Sequence, residues 1–125
     1  YSNYTSLIFS SKKEKLVIDF SKRIHDQINE NFKNIGRDLN KLGINFNCAP
    51  VVDLKIKGAS NVIGNRAFSR DPKIVSQLSL QACKGLLSEN VFPIIKHIPG
   101  HGRAKVDSHF YLPTIKSSKK VLYSS

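Results

Sequence analysis

From Lys12 to Leu42 apolar side chains return every three or four residues, and after Gly43 the period drops to two. That switch restricts the chain to folds in which a long amphipathic helix feeds a short strand. Leu16, Phe20, Ile24, Ile28, Phe32, Ile35, Leu39 and Leu42 form the helical stripe, and Gly43 supplies its stop. Asn29 and Asn31 predict a break near the middle of the helix.

Past the switch, Ile44, Phe46 and Cys48 alternate with Asn45 and Asn47, which predicts a strand over 44–51 running into a loop at Asp53. Residues 53–70 hold no sustained period and contain Gly58, Gly64 and Asn65, the composition of a long βα loop. Asp71-Pro72 then supplies an N-cap and a first-turn proline, and Ile74, Val75, Leu78, Ala82 and Leu86 line a second helix. Val91–Lys96 reads as a second strand, 97–113 as a loop and 116–122 as the start of another helix, with a third, edge strand expected at Ser6–Ser10. Helix, strand, helix, strand is the grammar of an α/β fold with a parallel sheet, whose ligands gather beyond the carboxyl ends of the strands. Two or three strands do not close a barrel, so the pattern describes either a small open α/β domain or a piece of a larger one.

A length of 125 residues suits a single domain with a real core. The net charge of +11 attracts nucleic acid, anionic lipid or an acidic ligand, yet the lysines are spread along the chain, where solvated helix faces account for them. No aromatic stacking platform for nucleic acid and no stretch approaching a membrane span is present, so neither partner is expected. Cys48 and Cys83 lack metal-binding or disulfide-framework spacing and are expected as buried free thiols of a reducing cytosol. No signal peptide opens the chain, although it begins with Tyr1 rather than Met.

The residues between Lys96 and His109 contain three of the four histidines of the chain, together with Asp107, Gly100 and Gly102. Histidine titrates near neutral pH, so this loop concentrates the proton carriers. Asp107 and His109 stand at i and i+2, on one side of an extended segment, where a carboxylate would fix the ring's tautomer and favour its charged form. Such a pair either gives and takes a proton at a bound ligand, or leaves Asp107 capping a turn beside a surface histidine. Lys96 and His97, at the end of the second predicted strand, offer donors to hydroxyl or acidic oxygens. Asp53 and Arg66 are suited to grip adjacent hydroxyls, or else to pair with each other. His97, His101, Asp107 and His109 include metal-ligand chemistry, but His-x3-His falls in a Pro/Gly loop and no HExxH occurs, so neither metal nor cofactor is expected. Ser108 has no GxSxG elbow around it, and no phosphate-loop motif is present.

Three ordered motifs, Asn47-Cys-Ala-Pro-Val-Val-Asp53, Val62-Ile-Gly-Asn-Arg-Ala-Phe-Ser69 with Asp71-Pro72, and Lys96-His-Ile-Pro-Gly-His-Gly102 followed by Asp107-Ser-His109 and Leu112-Pro113, resemble the bacterial β-N-acetylglucosaminidases of glycoside hydrolase family three. The resemblance is sharp from Gly43 to Pro113. It implies a partial (β/α)8 TIM-like barrel over 1–125, missing the first and later strands, from an incomplete catalytic domain. It further implies that Asp53, Arg66, Lys96 and His97 hold the N-acetylglucosamine ring, and that His109 is the acid/base with Asp107 as its partner. The implied substrates are N-acetylglucosamine-containing cell-wall fragments, met in the cytoplasm during peptidoglycan recycling.

The family pattern also calls for a nucleophilic aspartate on a later strand-end loop, since a retaining glycosidase needs two groups across the scissile bond. The sixteen residues after His109 contain no Asp or Glu, and no acidic Asp-Gln-Glu-Gly-Gly segment precedes the first helix. Ile98 replaces the usual aromatic and Cys48 a usual Phe, both mild apolar changes. The expectation is therefore an acid/base and a partial sugar clamp with negligible activity alone, unless a separate chain supplies the nucleophile. The alternative is a non-catalytic carbohydrate-binding or interaction fragment, or the relic of a degraded gene.

Overall fold

The structure, a computed structural model, describes residues 2–123, with side chains described at 17 and 19–123. Helix α1 spans Ser2–Lys41, strand β1 Phe46–Asn47, helix α2 Pro72–Ser88, strand β2 Phe92–Pro93 and helix α3 Lys119–Tyr123. A turn of 3-10 helix, Gly64–Arg66, interrupts the long loop between β1 and α2. This is an incomplete α/β fold, with a two-stranded parallel sheet and an unclosed piece of a barrel-like arrangement.

Helix α1 begins earlier than its stripe suggests and runs unbroken through 40 residues, so the expected edge strand at Ser6–Ser10 is helical. The expected break at Asn29 does not occur. Its side-chain amide donates across to the Gln81 carbonyl at 3.1 Å, so it fastens two helices instead of competing for its own backbone. Gly43, at φ +75°, closes the helix as expected, with its N–H on the Asn40 carbonyl and the Ile44 N–H on that of Leu39. The Leu16 side chain lies outside the described residues. Of the rest of the stripe, Phe20, Ile35 and Leu42 are exposed.

Helix α2 starts where expected, with the Asp71 carboxylate accepting from the Lys73 N–H at 2.8 Å and Pro72 in the first turn. It lies parallel to the carboxyl half of α1. Asn29 meets Gln81, and further along Arg37 and Asn40 both reach Glu89. Val75, Leu78, Ala82 and Leu86 are buried on its inner face, whereas Ile74 faces outward. The close approach depends on Gly85, where a Cβ would land on the Asn29 carbonyl and stand 2.8 Å from the Lys33 nitrogen. Gly85→Ala should therefore lower stability by about 1–3 kcal/mol, read as a lower denaturant midpoint, because backbone cannot yield as a side chain does.

The two strands pair in parallel, Phe46 with Phe92 and Asn47 with Pro93, and an isolated bridge joins Val51 to Lys96. Both are shorter than the spans 44–51 and 91–96 expected from alternation. Pro50 and Pro93 contribute no N–H, so the ladder is interrupted between its two ends. The expected burial of Cys48 is also overturned. It is exposed, as are Phe46 and Phe92 in the paired strands, while Cys83 is half-buried and its thiol is pushed up by that burial. Among the described residues no helix is long and apolar enough to cross a membrane.

Candidate active site

Both polar loops leave the carboxyl side of the parallel pair, and they are fastened to each other there. The Val52 N–H donates to the Lys96 carbonyl at 2.6 Å and the Lys96 N–H to the Pro50 carbonyl at 3.1 Å. Farther out, the Ser60 N–H reaches the Ala104 carbonyl at 2.8 Å. Gly102 makes the closest approach, since a Cβ there would fall on the Leu54 carbonyl oxygen.

Asp53 sits at the junction, its side chain fully buried. One carboxylate oxygen accepts from the backbone N–H groups of His101 at 2.5 Å and Gly102 at 3.1 Å. The other accepts from the His97 backbone N–H at 3.2 Å and contacts His97 Nδ1 at 2.5 Å. Both oxygens are thus committed inside the protein. Burial pushes the Asp53 carboxyl up, but the hydrogen bonds from the His97 ring and the His101 and His97 backbones outweigh it, and the group is held below its usual 3.8.

The sign of the resulting pH dependence follows from that depression. Stability from this carboxylate is fully present above the unfolded value near 3.8 and is lost as pH falls through the lower folded value. An acid titration followed by the His97, His101 and Gly102 amide signals should show the two loops parting in that window. The step should vanish in Asp53→Asn; an unchanged titration would mean that Asp53 does not hold the loops.

Lys96 and His97 stand where expected, at the end of the strand-to-loop transition, with the His97 side chain 38% exposed. The Lys96–His97 and Ile98–Pro99 peptide bonds are cis. The alternative reading, an ion pair between Asp53 and Arg66, does not form. Arg66 is exposed and its guanidinium donates to the Val62 carbonyl at 2.6 Å, while Asp53 is occupied by the second loop.

Asp107 and His109 do meet, Oδ1 to Nδ1 at 2.6 Å. The route differs from the extended segment expected. The His109 backbone N–H also donates to Asp107 Oδ1 at 2.9 Å, and the Phe110 and Tyr111 N–H groups donate to the Asp107 carbonyl, so the pair is made by a tight turn on the aspartate. The His109 backbone and ring bonds hold the Asp107 carboxyl below its usual value. The His109 side chain is 73% exposed, which leaves its other ring nitrogen available to a ligand.

His101 was legible only as a possible metal donor, yet it is a structural member of the site. Its ring lies edge-on to His97, centroids 5.9 Å apart. Both of its ring nitrogens are buried without a hydrogen-bond partner among the described residues. Among those same residues no group of three or more His, Cys, Asp or Glu side chains is placed to hold a metal ion.

A parallel strand pair, with two loops braced at its carboxyl end and an exposed imidazole–carboxylate pair beyond, fits an unclosed piece of a barrel-type α/β domain. The chain belongs to glycosyl hydrolase family 3, whose N-terminal domain matches residues 16–125. It is 44% identical over 81 residues to β-hexosaminidase A of Pseudoalteromonas piscicida, covering 65% of this chain and 14% of that protein. It is 40% identical over 87 residues to the β-hexosaminidase LpqI of Mycobacterium bovis, covering 70% and 22% respectively. The fold superimposes on Neisseria gonorrhoeae NagZ in complex with N-trifluoroacetyl-D-glucosamine with a TM-score of 0.75 at 35% identity, over 81% of this chain and 29% of NagZ. The chain therefore spans less than a third of each of these relatives.

Proposed function

We propose that these residues form the sugar-holding wall and the acid/base of a retaining β-N-acetylglucosaminidase acting on N-acetylglucosamine-containing cell-wall fragments in the cytoplasm, as in peptidoglycan recycling. The observation that carries the reading is the Asp107–His109 contact of 2.6 Å, held in a turn on the loop that also presents Lys96 and His97. Kinship with β-hexosaminidases supports the substrate class.

In this mechanism Asp107 fixes the His109 ring through Nδ1. The opposite nitrogen gives a proton to the departing glycosidic oxygen and later takes one from water. Lys96, His97 and Arg66 supply the polar contacts to the sugar, and the buried Asp53 braces the wall from behind. By the family pattern the nucleophile belongs to a later strand-end loop, and residues 110–125 contain no Asp or Glu.

Two measurements test the reading. The purified 125-residue chain should turn over a chromogenic N-acetylglucosaminide negligibly. A family enzyme carrying residues 16–125 in place of its own matching segment should turn it over. A folded but inert hybrid would defeat the proposal.

A further inference from the structure

We infer that Asp53 is a positioning residue for His97, holding the single proton of the neutral ring on Nδ1 so that Nε2 faces the ligand as a hydrogen-bond acceptor. For its target the inference rests on the sugar-holding reading above; the ring's tautomer follows from the geometry by itself.

An ionised carboxylate can only accept hydrogen bonds. Asp53 Oδ2 lies 2.5 Å from His97 Nδ1, so that nitrogen must donate and must carry a proton. The neutral imidazole has only one proton, which leaves Nε2 with a lone pair. The carboxylate cannot turn away, because the His101 and Gly102 N–H groups hold Oδ1 and the His97 N–H holds Oδ2. His97 is restrained in turn by the His101 ring, edge-on at an interplanar angle of 62°.

The consequence is a choice of hydrogen-bond direction at the strand end. Lys96 carries three donors and no acceptor, and the adjacent His97 presents an acceptor. Such a pair suits two neighbouring hydroxyls, one accepting from the ammonium and the other donating to Nε2. Asp53, with no exposed side-chain surface, contributes through the ring and does not touch the sugar. This reassigns the direct sugar contact that the resemblance implied for Asp53.

The test is a two-bond proton–nitrogen correlation of the imidazoles in the nitrogen-15-labelled 125-residue chain, at a pH where the ring is neutral. Expected are a protonated Nδ1 and a bare Nε2 for His97, and a shift of Nε2 on adding N-acetylglucosamine. An Nε2–H tautomer in the wild-type chain overturns the inference, whatever any variant does. Asp53→Asn keeps one oxygen for His101 and Gly102 and turns an NH2 toward the His97 ring, giving up the bond accepted from the His97 N–H. In the folded variant the proton should move to Nε2, and N-acetylglucosamine affinity should fall at least about tenfold. A variant that keeps the wild-type tautomer and affinity overturns the positioning role. An Nδ1–H ring whose Nε2 ignores the sugar leaves that role standing and removes the sugar as its target.

Discussion

His109→Ala in the hybrid enzyme should reduce turnover of a chromogenic N-acetylglucosaminide by about 10²–10⁴-fold, the usual contribution of a positioned acid/base. Thermal stability should be unchanged, because the side chain is 73% exposed and its one described side-chain partner is Asp107. Asp107→Asn should lose less, since it retains an oxygen for the ring and the His109 amide but no longer stabilises the ring's positive charge. The decisive readout is the split between kcat and KM. A residue that only held sugar would raise KM, whereas loss of the proton carrier lowers kcat. Full activity in His109→Ala would remove the acid/base from the mechanism.

Gly102→Ala should cost more than any other single-methyl change at the loop junction, about 3 kcal/mol or more. A Cβ there would fall on the Leu54 carbonyl oxygen and stand 2.9 Å from the Leu54 nitrogen, and both are backbone atoms, the oxygen already accepting from the Ile56 N–H at 3.0 Å. Relief requires the loops to separate, at a typical overpacking cost of about 1–3 kcal/mol. Separation also withdraws the Gly102 and His101 N–H groups from Asp53, and each bond to a charged acceptor contributes about 1.5–3 kcal/mol. The expected result is a lowered unfolding midpoint together with a disturbed His97 ring signal. Gly100→Ala is the informative contrast. The backbone there is at φ +125°, but an added Cβ would meet nothing nearer than Asp53 Oδ1 at 4.0 Å, so strain acts without a clash. Equal midpoints for Gly102→Ala and the wild type would mean that the loops are not wedged as described.

Elements written within a few residues were readable in advance. The Asp71-Pro72 start of α2, the Gly43 stop of α1 and the Asp107–His109 pair each depend on groups two to five positions apart. The helical stripe was also legible, but the extent of its cover was not. Phe20 and Leu42 obey the same spacing as the half-buried Ile28 and Phe32, and only the position of α2 separates them.

The role of Asp53 shows where local reading stops. In the sequence it is an acidic residue after a strand, equally suited to a sugar or to Arg66. Its actual partners lie 44 to 49 residues away, and three of its four contacts are to backbone N–H groups, which carry no sequence signal. The sequence by itself determined the α/β order, the family motifs and the imidazole–carboxylate pair, because short-range hydrogen bonds and periodicity are properties of neighbouring residues. Only the tertiary structure decided that Asp53 is a brace, that Gly102 is a wedge point and that the prolines shorten the strands. Those outcomes depend on which backbone groups two distant loops bring to the same place.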